Sequence, residues 1–211
     1  MRTTSRPSAV TLAGLLLAAL TACAGGDESG DADPSGSGPA GSAGTVAFDQ
    51  ALHDELVRMQ ADDQAELTGQ GEDPETTFEE RQVRLAEIFD EHGWPGWALV
   101  GREGSTAAWV VAQHADLDPE LQRRALDLLA EAVAADDASH GDLAYLTDRV
   151  AAAEGKEQTY GTQIRCDGAE AVPATPIGDQ AGVDERRAEA GLDPLRDYVA
   201  EMEKLCASDA E

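Results

Sequence analysis

Apolar residues fall along this chain at two periods, one helical and one extended. From Ala47 onward, Leu52, Leu56 and Met59 recur at spacings of four and three, the stripe of a helix that Gly69 and Gly71 bring to an end. Asp73-Pro74-Glu75 reads as a helix start, with Asp at the N-cap, Pro at the first helical position and an acid in the first turn. The helix it opens is expected to turn Phe78, Val83, Leu85, Ile88 and Phe89 inward. It stops at His92-Gly93-Trp94-Pro95, where Gly93 suits the C-terminal cap and Pro95 forbids continuation. Gly96 to Gly104 is expected to be extended or turn-like and anchored by Trp94, Trp97, Leu99 and Val100, with Ser105 or Thr106 capping the next helix. That helix, Ala107 to Ala115, is apolar on nearly every side and so belongs in the middle of the fold. Asp118-Pro119-Glu120 repeats the start signal for a long helix carrying Leu121, Ala125, Leu128, Leu129 and Val133. Asp142 is expected to open another, with Leu143, Leu146 and Val150 inward and Gly155 at its end.

The period then changes to two. Gln158, Tyr160, Thr162, Ile164 and Cys166 alternate with Thr159, Gly161, Gln163 and Arg165, a strand pattern followed by the turn pair Asp167-Gly168. Residues 169–177 supply the returning strand, which Pro173 and Pro176 confine to an edge. A short helix over Val183 to Ala190 ends at Gly191, and Asp193-Pro194 opens a last helix with Leu195, Tyr198, Val199, Met202 and Leu205. The pattern predicts one mainly α (α+β) domain over residues 47–211. It has six or seven helices and one small antiparallel β-hairpin near 158–177.

The N-terminus changes the picture of where the domain works. Arg2 and Arg6 form a basic start, Val10 to Leu20 is an apolar stretch too short to span a bilayer, and Leu20-Thr21-Ala22-Cys23 matches a bacterial lipobox. The expectation is a lipoprotein signal peptide over residues 1–22, cleavage before Cys23 and a lipid on the Cys23 sulfur. This would anchor the chain to the extracytoplasmic face of the cell membrane. Residues 24–46 are Gly, Ala, Ser, Asp and Pro with almost no large apolar side chain, and read as a flexible tether spanning about 25 Å. The formal net charge of −27 argues against nucleic acid and against electrostatic adhesion to anionic lipid, so the lipid must do the holding. With Cys23 assigned to the lipid, Cys166 and Cys206 remain as a pair that an oxidising compartment would join. Two buried free thiols are the alternative.

Candidate chemistry gathers where the central apolar run ends in Gln113 and His114, two groups that need hydrogen-bond partners if buried. The stretch Gln158 to Gln163 is expected to supply some of them. His114 can serve as a general base, a ligand-binding donor or a satisfied core histidine. Asp148 and Arg149 are candidates beside it, with Arg149 offering a bidentate fork to an anion or an internal ion pair tying its helix to the hairpin. Gly161 leaves a gap for close approach, with Gln163 on its face of the strand and Gln158 and Tyr160 on the other. If that strand passes His114, then Gln113, His114, Arg149 and Gln163 form a polar ligand-binding cleft, with Tyr160 a further ligand-binding candidate. The alternative is a hydrogen-bond network that specifies the fold. His92 reads as a helix-end cap, and Arg186-Arg187 as a solvated helix face. The spacing of His92, His114, Asp116, Asp118 and His140 fits no metal-ligand pattern, and no nucleophile elbow, phosphate loop or dinucleotide fingerprint is present, so neither metal nor cofactor is expected.

Six phrases in order add a resemblance. They are His92-Gly93-Trp94-Pro95, Gln113-His114-Ala115-Asp116, Leu146-Thr147-Asp148-Arg149-Val150, Gln158-Thr159-Tyr160-Gly161-Thr162-Gln163, Pro176-Ile177-Gly178-Asp179, and Val183-Asp184-Glu185-Arg186-Arg187 running on to Gly191-Leu192. Together they resemble a bacterial domain of unknown function, the DUF6624-type family, over about Phe78 to Met202. The resemblance implies membership and transfers no catalytic assignment. The functional expectation is a membrane-anchored extracytoplasmic lipoprotein that binds a small molecule or protein partner. The alternative is an envelope hydrolase or transferase with His114 as general base and Arg149 and Gln163 steadying charge.

Overall fold

The computed structural model describes residues 46–209, so the lipobox, Cys23 and the tether up to residue 45 lie outside the described residues. Among these residues the chain forms seven α-helices and one two-stranded hairpin, in agreement with the mainly helical pattern. Helix α1 (Gln50–Thr68) starts where the Asp49 carboxylate accepts from the Leu52 N–H and ends at Gly69 in the left-handed region, at φ 65°. Helix α2 (Phe78–His92) does not use the Asp73-Pro74 signal. Thr77 and Glu80 form a reciprocal capping box that satisfies two orphan backbone donors at once, and this outcompetes a start four residues earlier. The bonds from the Thr77 backbone and hydroxyl also hold the Glu80 carboxyl below its usual range.

Helix α3 (Trp97–Gln113) corrects the reading of residues 96–104 as extended. Leu99 and Val100 are already helical, and two short rods meet at Gly101, whose φ of 71° only glycine adopts freely. The break is held from outside: His53 Nδ1 lies 2.7 Å from the Val100 carbonyl and the Asp49 N–H donates to Leu99 O. Ser105 is not a cap; it is buried and accepts from Trp94 Nε1 at 3.0 Å. Ala107, Ala108, Ala112 and Ala115 are fully buried, as the all-round apolar pattern predicts, and their small side chains let four helices approach α3 closely. Those are α1, α2, α4 (Pro119–Ala134) and α5 (His140–Ala153). Leu56, Leu85, Ile88, Leu129 and Leu146 interlock around it, each fully buried side chain contributing about 1.5–3 kcal/mol. Val83 and Leu205, expected inward, are exposed instead.

Helix α5 begins at Ser139 rather than at Asp142, which sits one turn in and whose N–H donates to the Ser139 hydroxyl oxygen. Burial beneath α3 pushes the Asp142 carboxyl up to about 6, against the opposing bonds from Ser139 and Thr106. A carboxyl raised in the folded state above its ordinary 3.8 binds its proton more tightly when folded. It therefore stabilises most below its unfolded value, and that contribution is lost as pH rises through about 6. Asp142→Asn should raise stability at pH 7 by on the order of 1–2 kcal/mol, the favourable helix N-terminus offsetting part of the penalty. Paired thermal melts at pH 4 and pH 7 check this, and an equal gain at both would contradict it.

The hairpin is shorter than expected. Strands β1 (Ile164–Asp167) and β2 (Glu170–Pro173) pair antiparallel with Cys166 opposite Ala171, while residues 158–163 make only one parallel bridge, Gln158 to Ile177. Helices α6 (Val183–Glu189) and α7 (Leu195–Asp209) follow, and α7 packs along the hairpin. The Cys166–Cys206 disulfide, with Cα atoms 5.4 Å apart, joins the two, as the sequence predicts.

Candidate functional site

The polar groups divide into two assemblies, one structural and one facing solvent. The first is a clasp around residues 158–163. Asp148 is wholly buried on α5, and its carboxylate accepts from the N–H groups of Thr159, Tyr160 and Thr162 and from the Thr162 hydroxyl. Gln158 closes the loop on itself, accepting from Gln163 N–H and donating to Gln163 O and Thr175 O. Arg186 donates to Thr159 O, Arg187 to Tyr160 O at 2.9 Å, and the Tyr198 hydroxyl to Thr162 O at 2.8 Å. Burial holds the Tyr198 phenol far above its usual range, so it remains a donor. Arg187 is only 1% exposed and lies over the Tyr198 ring, which corrects the reading of Arg186-Arg187 as a solvated face. Gly161, at φ 70°, leaves no gap for a ligand, because Ile177 Cδ1 and Leu195 Cδ1 occupy it and would stand 2.6 and 3.0 Å from an added Cβ. The period-two pattern of this stretch reflects a loop whose backbone groups are taken by side chains, so the two-faced strand does not form.

The second assembly surrounds the turn between α3 and α4. His114 caps α3, and its Nδ1 lies 2.5 Å from Asp63 Oδ2 on α1. Asp63 is 1% exposed and the His114 side chain 16%. Asp116 receives both ends of the Arg149 fork at 3.0 and 2.6 Å, and Gln122 donates to Asp116 Oδ1 and to Gln113 O. Arg149 also reaches Gln163 Oε1 at 3.4 Å, the bond that links this turn to the clasp. Held on three sides, the turn presents Leu117 at its tip, 95% exposed.

Of the predicted residues, Gln113, His114, Arg149 and Gln163 thus border one turn. Asp148 has spent its acceptors on the clasp, and Tyr160 contributes its backbone to it, while burial and then the Asp148 charge raise its phenol. The expected cleft does not form: His114 pairs with Asp63, and Arg149 pairs with Asp116 in place of its neighbour Asp148. His92 is exposed beside Glu91 at 3.5 Å, and Gly93, not the imidazole, caps α2. Surface cavities of about 500 Å³ (between α6 and α7, with Val183, Leu195 and Val199) and about 120 Å³ (with Met59, Thr76 and Arg81) are lined by neither His114 nor Arg149.

A family model described as a family of unknown function (DUF6624) matches residues 43–208. The chain belongs to the DUF6624 family. No curated protein and no solved structure matches it. In this DUF6624 domain, sequence reasoning missed Asp63 and Arg81. Asp63 continues the stripe of Leu52, Leu56 and Met59, and Arg81 opens the stripe of Leu85 and Ile88. A charged residue at an apolar-stripe position on each of two packed helices was the available signal. Arg81 donates to Thr76 O and to Glu66 at 2.7 Å, and its Nη2 stands 4.0 Å from Asp63 Oδ1. The DUF6624 turn is therefore backed by a row of charge that runs from the exposed Glu66 through the buried Arg81 and Asp63 to His114.

Proposed function

We propose that the chain is an extracytoplasmic lipoprotein, anchored to the cell membrane through a lipid on Cys23, whose folded domain binds a ligand or protein partner at the α3–α4 turn. The observation that carries the site is the pose of His114: Nδ1 is committed to Asp63, and Nε2 has no protein partner among the described residues and borders solvent next to the exposed Leu117. The address rests on Leu20-Thr21-Ala22-Cys23 and is supported by the Cys166–Cys206 disulfide, which an oxidising compartment maintains. Net charge weighs against a nucleic-acid partner.

Two measurements test this reading. Cys23→Ala should leave the membrane fraction for a soluble or unprocessed form, and unchanged fractionation would exclude the anchor. A metabolite screen by thermal shift should find a stabilising ligand. His114→Ala should lose the ligand-induced shift while losing no more than about 1–3 kcal/mol of stability from the partner left unsatisfied. A mutant that still responds fully would remove His114 from the binding surface.

One observation favours a second reading, an envelope hydrolase or transferase with His114 as general base: the buried carboxylate behind Nδ1 is the arrangement that fixes a basic imidazole. In that reading Arg149 is not free to steady charge, since Asp116 occupies its fork.

A further inference from the structure

The second reading can be taken further, because the buried row behind His114 dictates which nitrogen is basic. An ionised carboxylate accepts hydrogen bonds and donates none, so at 2.5 Å from Asp63 Oδ2 the Nδ1 atom must carry the proton. The other nitrogen, Nε2, then carries the lone pair, and it is the one without a protein partner among the described residues. Asp63 is 1% exposed, and a carboxylate so deep needs a partner. Arg81, equally buried, stands behind it at 4.0 Å, and neither Asp63 Oδ1 nor Arg81 Nε finds a hydrogen-bond partner among the described residues. The pair is thus held by charge, and both hydrogen bonds of Asp63 fall on Oδ2, from the His114 ring and, at 3.1 Å, from Gln64 Nε2.

We propose that Asp63 and His114 form a proton-accepting dyad at the α3–α4 turn, acting on water to cleave a neutral or cationic ester, with Asp63 as the positioning residue. Nε2 takes a proton from water, and the electron pair of that O–H bond stays on oxygen, which bonds to the acyl carbon as the carbonyl π pair moves onto its oxygen. When the carbonyl re-forms, the alcohol leaves and takes the proton back from Nε2, so ester and water become acid and alcohol with the dyad restored. Asp63 faces the positive ring while Nε2 holds the proton. The chain's net charge of −27 sets the substrate class, since it repels anionic esters.

The experiment uses the full chain in detergent with p-nitrophenyl acetate as probe, together with nitrogen NMR of the His114 ring. The neutral wild-type ring should carry its proton on Nδ1, and Asp63→Asn should lose that preference. The wild type should hydrolyse the probe faster than an equal concentration of N-acetylhistidine, His114→Gln should abolish the excess, and Asp63→Asn should lower it at least about tenfold. A wild-type ring protonated on Nε2, or a rate indifferent to His114→Gln, overturns the dyad. The NMR readout on the wild type stands even if a variant fails to fold. Neither readout uses a natural ligand, so an empty thermal-shift screen and a failed dyad are separate results.

Discussion

Asp148→Ala is expected to cost about 3–5 kcal/mol, which is a large share of the stability of an ordinary domain. The size follows from what the carboxylate does. It is wholly buried and holds three backbone N–H groups and one hydroxyl of residues 159–162. Removing it leaves buried donors with no replacement, because the facing carbonyls already accept from Arg186, Arg187 and Tyr198. Asp148→Asn keeps one acceptor oxygen but turns an NH2 toward the same N–H groups, so it should fall between alanine and wild type. Urea titration followed by circular dichroism checks both, and a loss below about 1 kcal/mol for the alanine variant would show that the clasp is not what orders this loop.

Reducing the Cys166–Cys206 bond is the second large effect. The cysteines are 40 residues apart, and the chain-entropy description of closing such a loop gives about 4 kcal/mol. Cys206 is buried on α7 and Cys166 is exposed on β1, so opening the bond should loosen α7 from the hairpin and expose the Tyr198 contact. A reductant-dependent drop in melting temperature, with two thiols alkylated only after reduction, is the expected result. A protein that melts identically in reductant would show that α7 is held by its other contacts alone.

The helices were legible because each buries a stripe, and a stripe leaves a period in the sequence. The boundaries were less so wherever two start signals competed. At α2 the Thr77–Glu80 box won over Asp73-Pro74, and at α5 Ser139 won over Asp142, in each case the residue whose side chain reaches a backbone N–H. The first rod of α3 was hidden by Gly96, Gly101 and Gly104, which suggest a loop, whereas Gly96 is the extended N-cap and only Gly101 departs from helical geometry inside the helix. The site was half legible. Gln113 and His114 stood out as polar groups ending an apolar run, but the partner of His114 is Asp63, 51 residues upstream, and nothing local announces a contact across that distance. The clasp was misread for a related reason: when side chains rather than a neighbouring strand satisfy a backbone, alternation persists without a sheet.

Helix α5 has a consequence for how the domain comes apart. Leu146 and Val150 face the apolar core, whereas Asp148, between them, faces the clasp. The core draws on residues 52–150, and the clasp's carboxylate, amide and guanidinium partners come from Asp148 onward. The domain is therefore expected to open as two cooperative units that share one helix, the first held mainly by excluded water and the second mainly by hydrogen bonds. Opening the C-terminal unit alone leaves the α1–α5 bundle with its apolar contacts, so amide exchange in residues 158–163 should report that partial opening, and exchange in the centre of α3 the global one. The absence of regular secondary structure in residues 158–163 is then no measure of their mobility.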